Sequence, residues 1–399
     1  MLKLLYISEF IPYDKIRHAG GQTFNYYVNN ILKQDDIETI MIGFCKQKEK
    51  QYLDKREKGL QCYTIVSRGT IATDIKRITM DLYGQYVKRK NAYLSYYKEY
   101  HIIKILRKLK DSGYYPDVID LEWTAMVMEA EIIRSFFPKA KIIASEHDVT
   151  FLRYKRKIQQ EKGRKKDIAK KQYEYMKKAE ISALKYCDII MTQCEKDKQL
   201  LLDCDINENK VYVLSPYYHD MRHIDRIKLN HDILFWGAMY RADNYEAAMW
   251  FIDNVMPLLK DIDVRFIIAG NRPPQKLKAK ANERVIVTGF VENEVPLFEQ
   301  SLCFVSPLLT GAGIKVKVIE ALSAGIPVLT NTIGIEGISA VNGESYFHCE
   351  TPEDYARVIK YLLKSRKKVE EMCIVEKLLI NTYFNLEQSS QKYIEMIEK

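Results

Sequence analysis

The sequence predicts an α/β protein with two domains, each built around a parallel β-sheet. Two observations support this prediction: the chain has 399 residues, and short apolar runs alternate with helix-forming stretches along both of its halves. A chain of this length exceeds a typical single domain and suits two α/β domains of ordinary size. Apolar residues make up 47% of it, which is enough to fill two hydrophobic cores.

The first half shows the alternation of strand and helix signals that is typical of βαβ units in a parallel sheet. The apolar runs that we interpret as strands are Leu4–Ser8, Thr39–Phe44, Tyr63–Val66, Val118–Glu122, Lys141–Ser145, Asp188–Thr192 and Val211–Leu214. The stretches with helical character between them are Gln22–Leu32, Lys98–Lys110, Met126–Phe137, Lys171–Tyr186 and Lys196–Leu202. Lys155–Lys178 is predicted to form a long and very basic helix.

The second half repeats the pattern more clearly. Its predicted strands are Ile233–Phe235, Val264–Ala269, Val285–Val287, Leu302–Val305 and Val328–Thr330. Tyr245–Leu259 has the apolar periodicity of a helix. Thr351 with Pro352 and the following acids predicts a helix start, since Thr caps a first turn and Pro suits the first helical position. A final helix is predicted over Leu386–Glu398.

The two halves meet near Ser215–Asn230, a stretch of mixed charge without a clear element. We therefore predict an N-terminal domain over 1–220, a C-terminal domain over 221–375, and a helical segment over 376–399 that packs back on the N-terminal domain. Two joined α/β domains leave a cleft between them, and ligands usually bind in such clefts.

Charge is distributed unevenly along the chain. Residues 1–230 carry a net charge of +12 and residues 231–399 a net charge of −3. A basic half suggests an anionic partner, such as phospholipid head groups, a lipid diphosphate or nucleic acid. Solvated lysine-rich helices explain the same charge without a partner. No recognition motif supports nucleic-acid binding, so we expect none.

Several function classes are disfavoured by composition. The eight cysteines form no C-x-x-C pair and the seven histidines have no metal-ligand spacing, so no zinc site is expected. No apolar stretch is long enough to span a bilayer, and no signal peptide is evident. We therefore expect a cytoplasmic protein.

The most informative segment runs from Ser301 to Gly337. It reads as a strand, the Gly-rich loop Thr310–Gly313, a helix over about 315–324 that stops at Gly325, and a further strand. A Gly-rich loop lets backbone N–H groups approach a ligand, and a helix N-terminus favours anions. Lys315 and Lys317 add positive charge there, so this unit is suited to hold a diphosphate. Glu320, on the same helix, could accept hydrogen bonds from two adjacent ribose hydroxyls.

This segment resembles the donor-site signature of glycosyltransferase family 4, whose members have the GT-B fold of two Rossmann-like domains facing a cleft. It is similar to the subgroup with the pattern G-x-G-I-K-x-K-x-x-E-A-x-x-x-G-x-P-V. The matching residues are Gly311, Gly313, Ile314, Lys315, Lys317, Glu320, Ala321, Gly325, Pro327 and Val328. Looser matches, such as Phe235–Gly237, Ile268–Gly270 and Val287–Val291, extend the resemblance over about 232–338.

The resemblance implies a retaining, metal-independent transfer of a sugar from a nucleotide diphosphate, with a UDP-sugar favoured, to a glycan, glycolipid or cell-envelope polysaccharide. It implies no cofactor, and a peripheral position at the inner face of the cell membrane would fit it. Lys315 and Glu320 would be catalytic. The donor-binding residues that it implies are Gly20, Gly21, Gly237, Arg241, Gly270, Phe290, Val291, Thr310, Gly311, Ala312, Gly313, Ile314, Lys315 and Glu320.

One part of the family pattern is missing. Many members carry two glutamates in an E-x7-E arrangement, of which the first lies near the transferred sugar. Seven positions before Glu320 stands Gly313, not a glutamate. The family's Arg and Lys phosphate clamp is also not clearly matched, with Arg241 the nearest candidate. These departures motivate the alternative of a catalytically inactive GT-B subunit that partners an active glycosyltransferase.

Two polar loops in the first half follow predicted strands. His18-Ala-Gly-Gly21 resembles the family's Gly-Gly loop, which lies over the donor phosphates or the acceptor. Glu146-His147-Asp148 ends a predicted strand and resembles the family's His-Asp pair, whose His contacts the transferred sugar. We therefore assign His147 a catalytic role and His18, His147 and Asp148 a role in acceptor binding. A structural turn and a structural histidine are the simpler alternatives.

Other activities have weaker support. Asp203-Cys-Asp205 and Asp261-Ile-Asp263 fit the D-x-D pattern that binds metal in another glycosyltransferase fold, but both follow helix-like segments rather than strand ends. We interpret them as chance matches and expect no metal. A G-x-G-x-x-G fingerprint after the first strand is absent, which argues against a dehydrogenase.

Overall fold

Two parallel β-sheets organise the chain in the computed structural model, which describes residues 1–14, 16, 18–52, 60–88, 95–311 and 313–399. The chain divides into two units. The first comprises Met1–Tyr217 together with Leu386–Lys399, and the second comprises Tyr218–Asn385. Each unit has an α/β architecture, as the sequence predicts.

The strands in chain order are β1 (Leu2–Ser8), β2 (Ile37–Lys46), β3 (Leu60–Arg68), β4 (Val118–Glu122), β5 (Lys141–Ser145), β6 (Ile189–Thr192), β7 (Val211–Val213), β8 (Asp232–Trp236), β9 (Arg265–Ala269), β10 (Val285–Gly289), β11 (Cys303–Ser306), β12 (Val328–Thr330) and β13 (Phe347–His348). The helices are α1 (Ala19–Ile31), α2 (Ile71–Tyr86), α3 (Tyr96–Asp111), α4 (Thr124–Val127), α5 (Ala130–Phe136), α6 (Thr150–Gln160), α7 (Gly163–Leu184), α8 (Glu195–Leu202), α9 (Ala242–Asn254), α10 (Gln275–Lys278), α11 (Val295–Gln300), α12 (Val316–Ser323), α13 (Pro352–Lys364), α14 (Arg366–Tyr383) and α15 (Leu386–Glu398).

The strand order is the same in both sheets over the first six strands. The first sheet has the order β3-β2-β1-β4-β5-β6-β7 and the second has β10-β9-β8-β11-β12-β13. Both are parallel, and the order reverses direction between β1 and β4 and between β8 and β11. Ligands of doubly wound sheets bind beyond the carboxyl ends of the strands at such a switch point. Each unit therefore has one expected ligand edge.

Apolar residues cover both faces of the first sheet, as expected for parallel strands buried under helices. β1 illustrates this, because its residues 4–7 are fully buried and alternate between the two core clusters. Helix α15 completes one of these cores with Tyr393, Ile394, Met396 and Ile397. Burial of side chains of this size contributes about 1.5–3 kcal/mol each, which explains why the chain end returns to the first unit.

The structure divides the chain differently from the predicted domain boundaries. The second unit begins at Tyr218, close to the predicted position. Its other boundary lies at Asn385, because α14 belongs wholly to the second unit and packs against α12. A boundary at 375 would cut this helix in two. The segment that joins the first unit is therefore Leu386–Lys399, shorter than the predicted 376–399.

Three predicted helices are interrupted. Met126–Phe137 is divided between α4 and α5, with the break at Met128 and Glu129. Lys155–Lys178 is divided between α6 and α7, with the break at Glu161 and Lys162. The next residue, Gly163, has φ +54°, which a glycine adopts readily and other residues rarely do. The helix predicted over Tyr245–Leu259 ends at Asn254, and a short 3-10 turn containing Pro257 follows.

The start of α13 agrees with its sequence signal. The side chain of Thr351 accepts a hydrogen bond from the backbone N–H of Asp354, and the Asp354 side chain accepts one in return. This capping box begins α13 at Pro352, as predicted. Within the described part of the chain, no helix has both the length and the apolar character needed to cross a bilayer.

Candidate functional site

Polar side chains gather at the ligand edge of the first sheet. Glu122 ends β4, and His147 follows β5 by two residues, so neighbouring strands bring them together. Nε2 of His147 lies 2.7 Å from Oε2 of Glu122, and Nδ1 lies 2.8 Å from the side-chain amide nitrogen of Gln193, just beyond β6. Both ring nitrogens are thus engaged, which fixes the orientation of the imidazole.

Besides Glu122 and Gln193, the ring of Trp123 also holds His147 in place. The two rings are stacked with centroids 4.2 Å apart. Trp123 has φ 73° and ψ 147°, a region that only glycine adopts without strain, so this backbone costs on the order of 1–3 kcal/mol. Gly20 lies against the same pair: a Cβ there would come within 3.3 Å of Trp123 Nε1 and 3.4 Å of His147 Nδ1. Strain of this kind clusters at functional sites.

Burial changes the protonation of this pair. It raises the pKa of Glu122 to about 8 and lowers the pKa of His147 to about 4, because a charge is disfavoured away from water. His147 is therefore neutral near pH 7. A partly open cavity of about 30 Å³ adjoins the pair, with room for about two water molecules. The arrangement presents a neutral, immobilised imidazole at the ligand edge.

Gly20 and Gly21 lie in the first turn of α1, the helix that follows β1 in the chain. His18 is the N-cap of this helix, and its Nδ1 accepts a hydrogen bond of 3.0 Å from the backbone N–H of Gly21. A Cβ at Gly21 would lie 2.1 Å from Cδ1 of Ile16, so glycine is required there for packing. Asp148 forms an ion pair of 2.7 Å with Arg153. The structure thus shows structural contacts for His18, Gly21 and Asp148. The acceptor role of His18 and Asp148 and the donor role of Gly21 stay predictions.

Glycines shape the ligand edge of the second sheet. A Cβ at Gly270, just after β9, would lie 1.6 Å from the carbonyl oxygen of Gly237, just after β8. The two strand ends therefore approach too closely for any side chain. Arg241 stands at the N-cap of α9 and forms an ion pair of 2.8 Å with Asp243. The contact of Arg241 with the donor phosphates stays a prediction.

Two lysines flank the Gly-rich loop after β11. Lys315 is the N-cap of α12, and its Nζ contacts the carbonyl oxygen of Gly313 and lies 3.7 Å from Oε2 of Glu336. Nζ of Lys317 donates a hydrogen bond of 2.6 Å to Oδ1 of Asn244 and lies 4.7 Å from the centre of the Phe235 ring. Both cationic groups are therefore held at the switch point between β8 and β11.

Burial also perturbs the charged groups of α12. It lowers the pKa of Lys317 to about 7. Glu320 is 8% exposed, and burial raises its pKa to about 7 against the opposing effect of His219. Oε1 of Glu320 accepts a hydrogen bond of 3.3 Å from the backbone N–H of His219. Ionisable groups with such shifts beside a Gly-rich loop are typical of binding or catalytic sites.

The remaining predicted donor residues line the same edge. Phe290 follows β10 and is 72% exposed, whereas its neighbour Val291 and the loop residues Thr310 and Ile314 are partly exposed. Gly311 has φ 140° and a Cβ there would lie 3.2 Å from Cε of Lys315. Ala312 lies outside the described residues.

The residue at the position of the family's first glutamate is Ala312 and not Gly313. With seven residues between the two glutamates, the position that corresponds to the first one is Ala312, whereas Gly313 has six residues between it and Glu320. Neither is a glutamate, so the departure from the pattern stands.

Sequence reasoning missed three residues around His147, namely Glu122, Trp123 and Gln193. A usable signal existed, because Glu122 ends a predicted strand just as Glu146 follows one, and carboxyl ends of parallel strands share one edge. No signal identifies Trp123, whose strained backbone is visible only in three dimensions.

The D-x-D segments do not lie at either ligand edge. Asp203 and Asp205 follow α8, and the Asp263 side chain is fully exposed in the turn before β9. Among the described residues, no group of three or more His, Cys, Asp and Glu side chains is arranged to hold a metal ion.

Comparisons with known proteins agree with this geometry. Residues 230–365 match the family model for glycosyl transferases group 1, a segment that contains β8 to α13 with the Gly-rich loop and α12. This segment is therefore similar to a group 1 glycosyltransferase domain, which supports the predicted glycosyltransferase class. Assignment to the family 4 subgroup stays a prediction.

Solved structures share the fold over the whole chain. HepE of Anabaena in complex with UDP is 10% identical, with full coverage of both chains and a TM-score of 0.70. A glycosyltransferase from Rickettsia africae is 15% identical, with 100% of this chain and 98% of that chain covered and a TM-score of 0.67. Sucrose-phosphate synthase from Thermosynechococcus elongatus has a TM-score of 0.68 at 13% identity, with 100% of this chain and 98% of that chain covered. The predicted GT-B fold is confirmed.

A curated relative matches part of the chain. It is named as an uncharacterized 44.6 kDa protein in the cps region of Klebsiella pneumoniae and is 25% identical over 193 residues. The match covers 44% of this chain and 49% of the relative, so the chain spans about half the length of that relative.

Proposed function

We propose that the protein is a retaining, metal-independent glycosyltransferase that moves a sugar from a UDP-sugar to a glycan, glycolipid or cell-envelope polysaccharide. The observation that carries the proposal is the group on α12: Lys315, Lys317 and the buried carboxyl of Glu320 lie together at the switch point of the second unit. A donor nucleotide needs positive charge for its diphosphate and an acceptor for its ribose hydroxyls. This group supplies both.

The lysines favour a metal-free mechanism. Negative charge grows on the diphosphate as the glycosidic bond breaks, and preorganised cations at that point stabilise the transition state. The pKa of Lys317 is near 7. A bound diphosphate would raise this pKa, and Nζ would then take up a proton and become positively charged. The positive charge that a metal ion provides in other enzymes would come here from Lys315, Lys317 and the N-terminus of α12.

The carboxylate of Glu320 is suited to accept hydrogen bonds from the ribose hydroxyls of the donor. Two adjacent hydroxyls that donate to its carboxylate would favour the ionised form, which burial otherwise disfavours. The HepE structure contains UDP, which supports uridine as the base in this proposal. In the first unit, His147 would contact the transferred sugar, after one of its present hydrogen bonds opens. The leaving phosphate would take the acceptor proton, and we assign no protein nucleophile.

The acceptor and the place of action belong to the same proposal. Residues 153–178 contain twelve Lys and Arg against three Asp and Glu, and they form most of α6 and α7. A surface this basic is attracted to anionic head groups by about 1 kcal/mol per residue near the membrane. This supports a protein that works in the cytoplasm and binds peripherally to the membrane that carries a lipid-linked acceptor.

Titration calorimetry with UDP in the presence of EDTA tests the donor site. The unchanged protein should bind UDP, and Glu320→Gln and Lys315→Met should each weaken binding about 10- to 100-fold, the range for hydrogen bonds to charged groups. Lys367→Met is the matched control, because the Lys367 side chain is 87% exposed on α14. Equal affinity in all four proteins would refute this donor site.

The inactive-subunit alternative is favoured by one observation, the absence of a glutamate at Ala312 and Gly313. It predicts UDP binding without chemistry. Release of UDP from UDP-glucose and UDP-N-acetylglucosamine, measured with water as the acceptor, separates the two functions. Slow release that Glu320→Gln abolishes supports the enzyme, and no release from a protein that binds UDP supports the inactive subunit.

A further inference from the structure

A stripe of large apolar side chains runs along the exposed side of α2. This helix is part of the first unit and begins at a capping box between Thr70 and Thr73, so it has its own start signal. The exposed fractions of the stripe residues are 82% for Ile71, 57% for Ile75, 48% for Ile78, 47% for Leu82 and 74% for Tyr86.

The opposite side of α2 holds the helix on the protein. Gly84 is buried, and a Cβ there would lie 2.3 Å from Cβ of Tyr96 at the start of α3. Met80 packs against the core of the first unit. With 100° between successive residues, Met80 and Gly84 lie about 160° from the middle of the stripe. The stripe therefore faces away from the contacts that hold α2 in place.

The spacing of the stripe is that of a helix–helix seam. From Ile71 to Ile75, Ile78 and Leu82 the intervals are four, three and four residues. This is the spacing of a and d positions in a coiled coil, which places apolar residues in one narrow line for a partner helix. A helix that faces a broad apolar phase shows a wider stripe.

The size of the surface suits a protein interface. The five apolar side chains of the stripe together present on the order of 500 Å². Two copies that cover each other's stripes would bury about 1,000 Å² in total, which is the lower end for a specific interface. A second helix laid along the stripe would bury most of this area.

The charge within α2 itself does not favour a lipid surface as the occupant. Helices that lie in anionic membranes carry many Lys and Arg on their polar side. In α2, Arg77 lies 3.9 Å from a carboxylate oxygen of Asp74 and 3.7 Å from one of Asp81, so its charge is balanced within the helix. Lys76 is the other basic residue of α2, and residues 88–90, which follow the helix in the sequence, are Lys, Arg and Lys. The longest basic stretch of this unit lies on α6 and α7.

We propose that α2 is a dimer interface and pairs with α2 of a second copy of this chain. A two-fold axis brings the same stripe of both copies together, so one stripe is sufficient for the interface. The donor-site residues are in the other unit, so the proposal is independent of the proposed function.

Sedimentation velocity over a range of protein concentrations tests the proposal. The unchanged protein should sediment as a dimer that dissociates on dilution. Ile75→Glu and Leu82→Glu, in separate variants, should raise the dissociation constant about 30-fold or more, as loss of a central interface residue does. Lys76→Glu, an exposed change of the same helix about 120° away from the stripe, should leave the mass unchanged. Circular dichroism melts establish that the variants fold, since all three positions are on the surface.

The possible outcomes distinguish a second copy of the chain from a membrane as the partner of the stripe. Loss of the dimer in the stripe variants alone supports the proposal. A monomer at every concentration overturns it. Flotation of a monomeric protein with phosphatidylglycerol vesicles, lost in the stripe variants, would identify a membrane as the occupant and overturn it as well. A dimer that persists in both stripe variants would place the interface elsewhere.

Discussion

Replacement of Lys317 by methionine should stabilise the free protein and impair UDP binding. Methionine has a similar length and no charge. The change removes an ammonium group that lies above the Phe235 ring and donates a hydrogen bond to Oδ1 of Asn244. The free protein gains stability because the free-energy cost of burying this charge is removed. UDP binding weakens because the proposed diphosphate site loses a cation.

The size of the first effect follows from the lowered pKa. Burial moves the pKa of Lys317 from 10.5 to about 7. Between pH 7 and pH 10.5 the unfolded chain holds a proton that the folded protein does not. This group therefore makes stability rise from pH 7 to pH 10.5, and its full cost is present below pH 7. At 1.36 kcal/mol per unit, the cost at pH 7 is about 4 kcal/mol. Loss of the hydrogen bond to Asn244 offsets about 1–3 kcal/mol of this.

Thermal denaturation at pH 7 measures the balance. A net gain of about 1–3 kcal/mol should raise Tm by roughly 2–10 °C for a unit of this size, and the rise in stability from pH 7 towards pH 10 should become shallower. The additional Tm shift caused by UDP should shrink. Lys367→Met, on the exposed side of α14, is the control and should change neither. A lower Tm for Lys317→Met together with an undiminished UDP shift would refute both parts of the reasoning.

Two further predictions concern residues that support the two sheets, one in each unit. Gly270→Ala should lower the free energy of unfolding by several kcal/mol and lower Tm or solubility sharply, because the new Cβ would lie 1.6 Å from the carbonyl oxygen of Gly237. Gly343→Ala is the control: Gly343 has φ +81° and nothing lies within 4 Å of a Cβ there, so the same melts should show a loss of only about 1 kcal/mol. Tyr393→Phe should destabilise the first unit by about 1–3 kcal/mol in urea, because the Tyr393 hydroxyl donates a hydrogen bond of 2.5 Å to buried Asp120. An unchanged urea midpoint would show that this hydrogen bond contributes nothing.

Much of the fold is predictable because parallel strands give local signals. β4, β5, β12 and α15 have the bounds that the sequence predicts. Each is a short buried apolar run or an amphipathic helix with clear ends, so neighbouring residues carry the information. The end of the second unit is not predictable in this way, since α14 continues through residue 375 without any break in its sequence pattern.

The donor half of the site is predictable and the other half only in part. Lys315 and Glu320 belong to one contiguous motif, so their proximity follows from the loop and helix that carry them. Glu122, His147 and Gln193 come from three strands and meet only through the strand order. The sequence identifies His147 at a strand end, but not which residues bind its two ring nitrogens. Long-range pairing of this kind has no local signal.

A metal-free donor site is tested most directly by the thermal stability of the purified protein with UDP, dTDP, GDP and ADP in turn, each with and without EDTA. UDP should stabilise the protein by about 2.7 kcal/mol at about 100 times its dissociation constant, and EDTA should make no difference. Stabilisation that requires a divalent metal, or no stabilisation by any of the four nucleotides, would contradict a metal-free UDP-sugar site on α12.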